Sequence, residues 1–185
     1  MTTSVAFWLV LAVLLFWSLG AYNRLVRLRA RVLGRFAQVD QHMVQALALL
    51  GEAARVPVGP TVANPATRLE ATLPAAHDGL QAVAIQFEVA LRVARKQALD
   101  ASAVAALQTA YATVHDVWAR RRHGSAEPAS AEAAALQRAW EGNTEVVRDA
   151  AAGFNAAVQA YNAAITQFPA SMLAYLFSFS QAAQL

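Results

Sequence analysis

The hydrophobic pattern of the chain begins with a continuous apolar run and then becomes periodic. Residues 5–19 carry no charged side chain, and with their flanks they reach the roughly 20 residues that a helix needs to cross a bilayer. Trp8, Trp17 and Tyr22 are of the side-chain types that concentrate at membrane interfaces. The pattern therefore predicts a transmembrane anchor over residues 1–22.

After this run, apolar residues recur in alternating steps of three and four, the pattern of helices that pack in a bundle. The first stripe starts at Leu25 and continues to about Glu52, and only weak interruptions separate it from the apolar run. Anchor and first bundle helix are therefore predicted to form one rod. The positions of three further stripes are Leu80, Val83, Phe87, Leu91, Ala94 and Ala98; Val104, Leu107, Tyr111, Val114 and Trp118; and Leu136, Trp140, Thr144, Val147, Ala151, Phe154, Val158, Tyr161, Ile165 and Phe168.

Proline, glycine and short polar residues mark the boundaries between these stripes. A cluster over residues 51–65 predicts a turn region, and the second helix should start between residues 65 and 74. Residues 125–130 predict another turn that offers N-cap candidates. Residues 100–102 are compatible with either a short break or a continuous helix.

Together these elements predict an all-α fold. Because short connections favour antiparallel neighbours, we expect an N-terminal transmembrane helix continuous with an antiparallel up-down bundle of about four long helices over residues 23–168. The remaining segment, residues 169–185, is apolar and uncharged, and we expect a short helix there. Two placements remain open for it: packing on the base of the bundle, or lying in the membrane interface.

Basic residues lie on only one side of the apolar run. The segment before the run has no Lys or Arg, whereas an arginine flank follows it, formed by Arg24, Arg27, Arg29, Arg31 and Arg35. By the positive-inside rule this asymmetry predicts a single-pass protein of the inner (cytoplasmic) membrane, with its N-terminus outside and its bundle in the cytoplasm. A cleaved signal peptide ending near Gly20 is the alternative, but secretory signals normally carry a positive charge before the run.

Composition excludes several kinds of chemistry. The chain has no cysteine, which rules out disulfides, thiolate metal sites and cysteine nucleophiles. His42, His77, His115 and His123 are isolated, and no Glu has a His three residues later, as a di-iron carboxylate bundle requires. Phosphate-binding loops and nucleophile elbows are missing from the sequence. We therefore predict neither an enzyme nor a bound metal or cofactor.

The net charge of +3 comes from fourteen Arg and a single Lys. Arginine preferred over lysine, in an alanine-rich chain, is typical of coding by a GC-rich genome. This interpretation is favoured over a nucleic-acid-binding surface, and we predict no nucleic-acid partner.

Two stretches near the ends of the chain resemble a known family. They read Tyr22-Asn-Arg-Leu-Val-Arg-Leu-Arg29 with Phe36-Ala-Gln-Val-Asp40, and Phe154-Asn155 with Tyr161-Asn162-Ala-Ala-Ile-Thr-Gln-Phe168-Pro169. They are similar to the Y-N-x-L-V-x-L-R, W-A-Q-V-D and Y-N-x-x-V-x-x-Y-N-x-x-I-x-x-F-P segments of the LemA family of bacterial membrane proteins. Residues 42–51 depart from the family pattern, so the chain resembles a divergent member. The resemblance implies a single-pass protein with a cytoplasmic antiparallel bundle, and it implies no catalytic residues.

The shared motifs place an asparagine next to an aromatic residue three times. Asparagine is unfavourable inside a helix because its amide competes for backbone groups. Such amides are predicted to bond across helices and fix their register, as polar residues do in coiled coils. The candidate structural residues are Tyr22, Asn23, Gln38, Asp40, Asn155, Tyr161, Asn162, Phe168 and Pro169.

Two functional classes fit these observations. The first is a scaffold or adaptor at the inner membrane face, whose bundle holds an unidentified protein partner or further copies of itself. The second is a membrane-shaping or lipid-binding element that uses the arginine flank and the apolar C-terminal segment. The bilayer is an expected partner in both cases.

Overall fold

The computed structural model describes residues 2–55, 75–123, 130–168, 170–177 and 179–185. Every regular element in these ranges is an α-helix, which confirms the predicted all-α class of four long helices and a short C-terminal one. The helices are α1 (Thr2–Ala53), α2 (Ala75–Lys96), α3 (Ala101–His123), α4 (Ala131–Thr166) and α5 (Ala170–Leu176). The turn residues predicted at 56–65 and 125–129, the predicted start of the second helix, and Pro169 lie outside the described residues.

Helix α1 joins the apolar run to the first bundle stripe without interruption, as the periodicity predicted. Its 52 residues form a rod about 78 Å long at the usual rise of about 1.5 Å per residue. One face of its second half is buried in steps of three and four, because those positions meet the rest of the bundle. The buried side chains are Leu25, Val32, Phe36, Val39, Met43, Ala46, Leu50 and Ala53.

Helices α1 and α4 run antiparallel over most of the length of α4. Their aromatic side chains pair in reverse order along the chain. Trp17 meets Phe168 and Phe36 meets Phe154, each with ring centroids 5.8 Å apart. An early residue of α1 therefore contacts the end of α4, as the up-down topology requires.

Helices α2 and α3 form an antiparallel hairpin on the other side of α1. Asp40 of α1 accepts a hydrogen bond from Arg95 of α2 at 2.6 Å, and the rings of Phe87 and Tyr111 lie 5.5 Å apart inside the hairpin. The bundle closes where α3 meets α4. There Trp118 stacks on Trp140 at 4.4 Å.

The connection between α2 and α3 is a true break. The carboxylate of Asp100 accepts hydrogen bonds from the Ala103 backbone N–H at 2.9 Å and from the Ser102 hydroxyl, and both bonds lower the pKa of Asp100. This is the geometry of a helix N-cap, in which a side chain satisfies an amide that has no partner in the first turn. Ser130 caps α4 in the same way, accepting from the Ala133 N–H at 3.1 Å.

Candidate functional site

The apolar run forms the N-terminal part of α1 and is almost entirely exposed. Among the described residues, this is the one helix long and apolar enough to cross a membrane, judged by length and composition. Its most apolar 18-residue window has a mean hydropathy of 1.7, and only 6% of that window is buried. A core helix of similar composition would instead cover these side chains with protein.

The arginine flank lies one to four turns beyond the run, and all five of its side chains are exposed. Arg27 donates to the backbone carbonyl of Asn23 at 3.3 Å, and Arg35 donates to Gln38 at 3.0 Å. Arg29 lies over the ring of Phe179, 5.8 Å from its centroid. The flank thus contacts the C-terminal segment through Arg29.

Helix α5 packs beside the end of the apolar run. Tyr22 contacts Phe177 with ring centroids 5.2 Å apart, and Phe168, itself exposed, contacts Trp17. One side of α5 buries Ala170 and Ala174 against the bundle. The other side forms the α5 outer surface, exposed apolar residues at the level of Trp17 and Tyr22: Met172, Tyr175, Leu176 and Phe177.

Beyond α5, residues 179–185 form a tail segment without regular secondary structure that runs back along α4. Asn162 donates to the Ala182 carbonyl at 2.8 Å and accepts from the Ala182 N–H at 3.0 Å. Asn155 makes the same pair of bonds to Leu185, at 2.6 Å to its carbonyl and 2.7 Å from its N–H. The two amides therefore bond to the backbone of the tail segment, where the sequence had predicted bonds between helices.

Tyr161 lies between these asparagines and is almost fully buried, with 1% of its surface exposed. Its hydroxyl donates to the backbone carbonyl of Ser180 at 3.1 Å, a third bond to the tail segment. Burial raises the pKa of Tyr161, and the positive charge of Arg29 opposes that shift. The phenol thus stays protonated at neutral pH and acts as a hydrogen-bond donor.

The other predicted motif residues lie apart from this cluster. Asn23 and Gln38 are exposed on α1, and Asp40 bonds to Arg95 on the opposite side of the bundle. Pro169 lies outside the described residues. The structure therefore brings together Tyr22, Asn155, Tyr161 and Asn162 around the tail segment and leaves the remaining motif residues elsewhere. The partners of these amides could not be found from sequence, since residues 179–185 carry no periodic signal.

A second cluster of titratable and aromatic groups fills the interface of α3 with α4. His115 lies against both Tyr111 and Trp140, with ring centroids 4.6 and 5.2 Å apart. Burial lowers the pKa of His115, with opposition from the Asp116 carboxylate, and raises the pKa of Tyr111 to about 12. The Thr144 side chain beside the Tyr111 hydroxyl opposes this rise in pKa, but no hydrogen bond of normal geometry to that hydroxyl is present within the described residues.

His115 meets the Tyr111 ring edge to face and lies tilted against the Trp140 ring, so the aromatic contacts hold it within the bundle. Among the described residues, no group of three or more His, Asp or Glu side chains is arranged to hold a metal ion. The cluster packs α3 against α4.

The structure is an all-α bundle built on one long N-terminal helix, with the tail segment bound to α4 by Asn155, Tyr161 and Asn162. A family model, that of the LemA family, matches residues 88–185, which is more than half of the chain. The chain belongs to the LemA family, and the resemblance seen in its motifs is confirmed. Comparison with curated proteins and with solved structures finds no match.

Proposed function

We propose that this LemA-family chain is a single-pass scaffold at the cytoplasmic face of the inner membrane. The apolar run of α1 would span the bilayer, and the arginine flank directly after it favours retention of the bundle in the cytoplasm. Because α1 continues from the run into the bundle as one helix, the bundle would be held rigidly against the membrane.

The observation that carries the scaffold proposal is an apolar surface on α2. Ile85, Val89 and Val93 are spaced by four residues and are all exposed, forming the α2 stripe. Beside it runs a groove of about 480 Å³ between α1 and α2, lined in part by Val44 and Leu91. Apolar surface next to a groove, on a helix that already buries its opposite face, is typical of protein interaction sites.

A photo-crosslinking amino acid at position 89, used in native membranes, tests the scaffold. We expect a discrete adduct with a partner protein or with a second copy, lost when Ile85→Glu or Val93→Glu places a charge in the stripe. The matched control is the same crosslinker at exposed position 108 of α3. Equal, diffuse labelling from positions 89 and 108 would contradict the proposal.

The second candidate function, a membrane-shaping or lipid-binding element, is favoured by the α5 outer surface. Its exposed apolar side chains lie at the level where the apolar run ends, next to the arginine flank. Apolar residues at the acyl boundary with arginines at the headgroups are the arrangement of interfacial membrane helices.

Liposome binding by the chain without residues 1–20 tests this second function. We expect salt-sensitive binding to vesicles containing anionic lipid, weakened by Leu176→Asp, because that side chain is exposed and its loss removes apolar contact with lipid. Ala174→Asp is the contrasting variant, since Ala174 is buried and its replacement should lower the melting temperature instead. Binding that is unaffected by both anionic lipid and Leu176→Asp would exclude this role.

A further inference from the structure

A cavity of about 220 Å³ lies between α1 and the junction of α4 with α5, and we call it the junction cavity. Three helices each contribute a small side chain to its lining, Ala21 from α1, Ala164 from α4 and Ala170 from α5. Trp17 and Phe168, both exposed, extend this apolar lining. The cavity has the volume of about seven water molecules, but a lining of this kind suits an apolar group better than water.

The polar part of the lining consists of two exposed side chains, Arg24 and Gln167. Within the described residues, neither side chain makes a hydrogen bond or an ion pair. Since the lining includes no Asp or Glu, no carboxylate there offsets the charge of Arg24. A guanidinium binds phosphate through parallel N–H bonds, and a side-chain amide can donate one more. The junction cavity therefore fits a phosphate that is attached to an apolar group.

The junction cavity also lies at a defined height on α1. Trp17, Ala21 and Arg24 share one face of the helix, because they are spaced by four and three residues. Arg24 lies five residues beyond Leu19, the end of the apolar run, which is about 7.5 Å along the helix axis. The headgroup layer of a bilayer is about 5–7.5 Å thick on each side of the hydrocarbon. With the run in the bilayer, Arg24 therefore reaches the lipid phosphates while Trp17 stays at the edge of the acyl chains.

We propose that the junction cavity binds one anionic phospholipid of the cytoplasmic leaflet. Its phosphate lies on Arg24 and Gln167, and its glycerol and first acyl methylenes lie against the alanines and the ring of Trp17. The inference rests on the proposed anchoring, because only an inserted α1 brings the cavity to the headgroup layer, and it gives the second candidate function a defined site. A free phosphate ion would gain nothing from the apolar lining. The cationic headgroup of a zwitterionic lipid would meet the arginine flank, which favours an anionic one.

The test uses the full chain in phosphatidylcholine vesicles that contain a minor share of photoactivatable phosphatidylglycerol, with the reactive group close to the glycerol. Label on residues 164–168 reports the junction cavity, and label on the exposed Phe16 reports the surrounding bilayer and serves as the internal reference. Two variants alter the cavity by different means. Ala21→Leu fills it, and Arg24→Gln removes its charge.

Each variant has a matched control on α1. Ala30→Leu makes the same apolar change at an exposed position, and Arg27→Gln removes the charge of an exposed arginine one turn beyond Arg24. Neither control residue lines the junction cavity. The controls thus keep the size and charge changes but leave the proposed site intact.

We expect the label on residues 164–168, relative to Phe16, to fall about tenfold in Arg24→Gln, since a charge-assisted bond to phosphate is lost. Ala21→Leu should lower it as well, and both controls should leave it unchanged. A photoactivatable phosphatidylcholine should label these residues several-fold less, and inorganic phosphate should not compete.

Label that is unchanged in both cavity variants, or lowered equally in the controls, would overturn the site. Equal label from the two lipid probes would overturn an anionic lipid as the occupant, and competition by inorganic phosphate would overturn a lipid altogether. Flotation of the same vesicles measures the anchoring separately. A chain that does not float would overturn the anchoring, whereas a chain that floats without label on residues 164–168 would overturn the junction cavity alone.

Discussion

At the scale of single residues, Asn162 has the clearest separable role. It makes two hydrogen bonds to a residue twenty positions further along the chain. We expect Asn162→Leu to release the tail segment at a local cost of about 1–3 kcal/mol while the helices keep their core. Hydrogen exchange at the amides of Ala182 and Leu185 should accelerate. The matched control is Asn23→Leu, which removes an exposed amide from α1 and should leave that exchange unchanged. Slow exchange in both variants would contradict the role of Asn162 in holding the tail segment.

Tyr111 offers a test in the opposite direction, because its buried hydroxyl has only the Thr144 side chain beside it and makes no hydrogen bond of normal geometry. Tyr111→Phe removes this poorly compensated polar group, so we expect the melting temperature to stay the same or rise. The alkaline behaviour should also change. The unfolded phenol loses its proton near pH 10, whereas burial keeps the folded one protonated to about pH 12, so the wild type loses stability between those values. Melting curves from pH 8 to 12 should show a smaller loss in the variant, and identical profiles would refute this assignment.

At the scale of elements, periodicity determined most of what could be predicted. Leu25, Val32 and Val39 are buried as their stripe required, because helix packing depends on local spacing. The partners of Asn155 and Asn162 were not predictable, since the tail segment has no local periodicity and is ordered only by long-range bonds. The break at Asp100 was left open because a short polar residue can occupy a cap or an exposed helical position.

The continuity of α1 can be tested through Gly34, an exposed glycine within the helix. A Cβ at this position would meet nothing within 4 Å, so Gly34→Ala adds helix propensity without a clash. We expect stabilisation of about 0.5–1 kcal/mol, measured by denaturant unfolding in detergent. Ala30→Gly, at an exposed position one turn earlier, should give the opposite sign. No change from either substitution would mean that this part of α1 does not unfold with the bundle.

At the scale of the whole molecule, α5 packs on the bundle, one of the two placements that the sequence left open, while a place in the membrane interface stays a prediction. Its alanine side is buried on the bundle, while Tyr175 and Leu176 face outward beside the apolar run. Arg29 of the arginine flank lies over Phe179, at the start of the tail segment. The end of the apolar run and α5 therefore lie together at one end of the bundle.

The proposed anchoring gives the last prediction, a topology with the N-terminus outside the inner membrane and the bundle in the cytoplasm. Since the native chain has no cysteine, Thr3→Cys and Ser130→Cys each introduce a unique thiol. A membrane-impermeant maleimide should label the first in intact cells, and the second only after the inner membrane is opened, because the five arginines that follow the span resist translocation. The reverse pattern would invert the topology. A shortened chain in which position 3 is lost would instead identify the apolar run as a cleaved signal peptide.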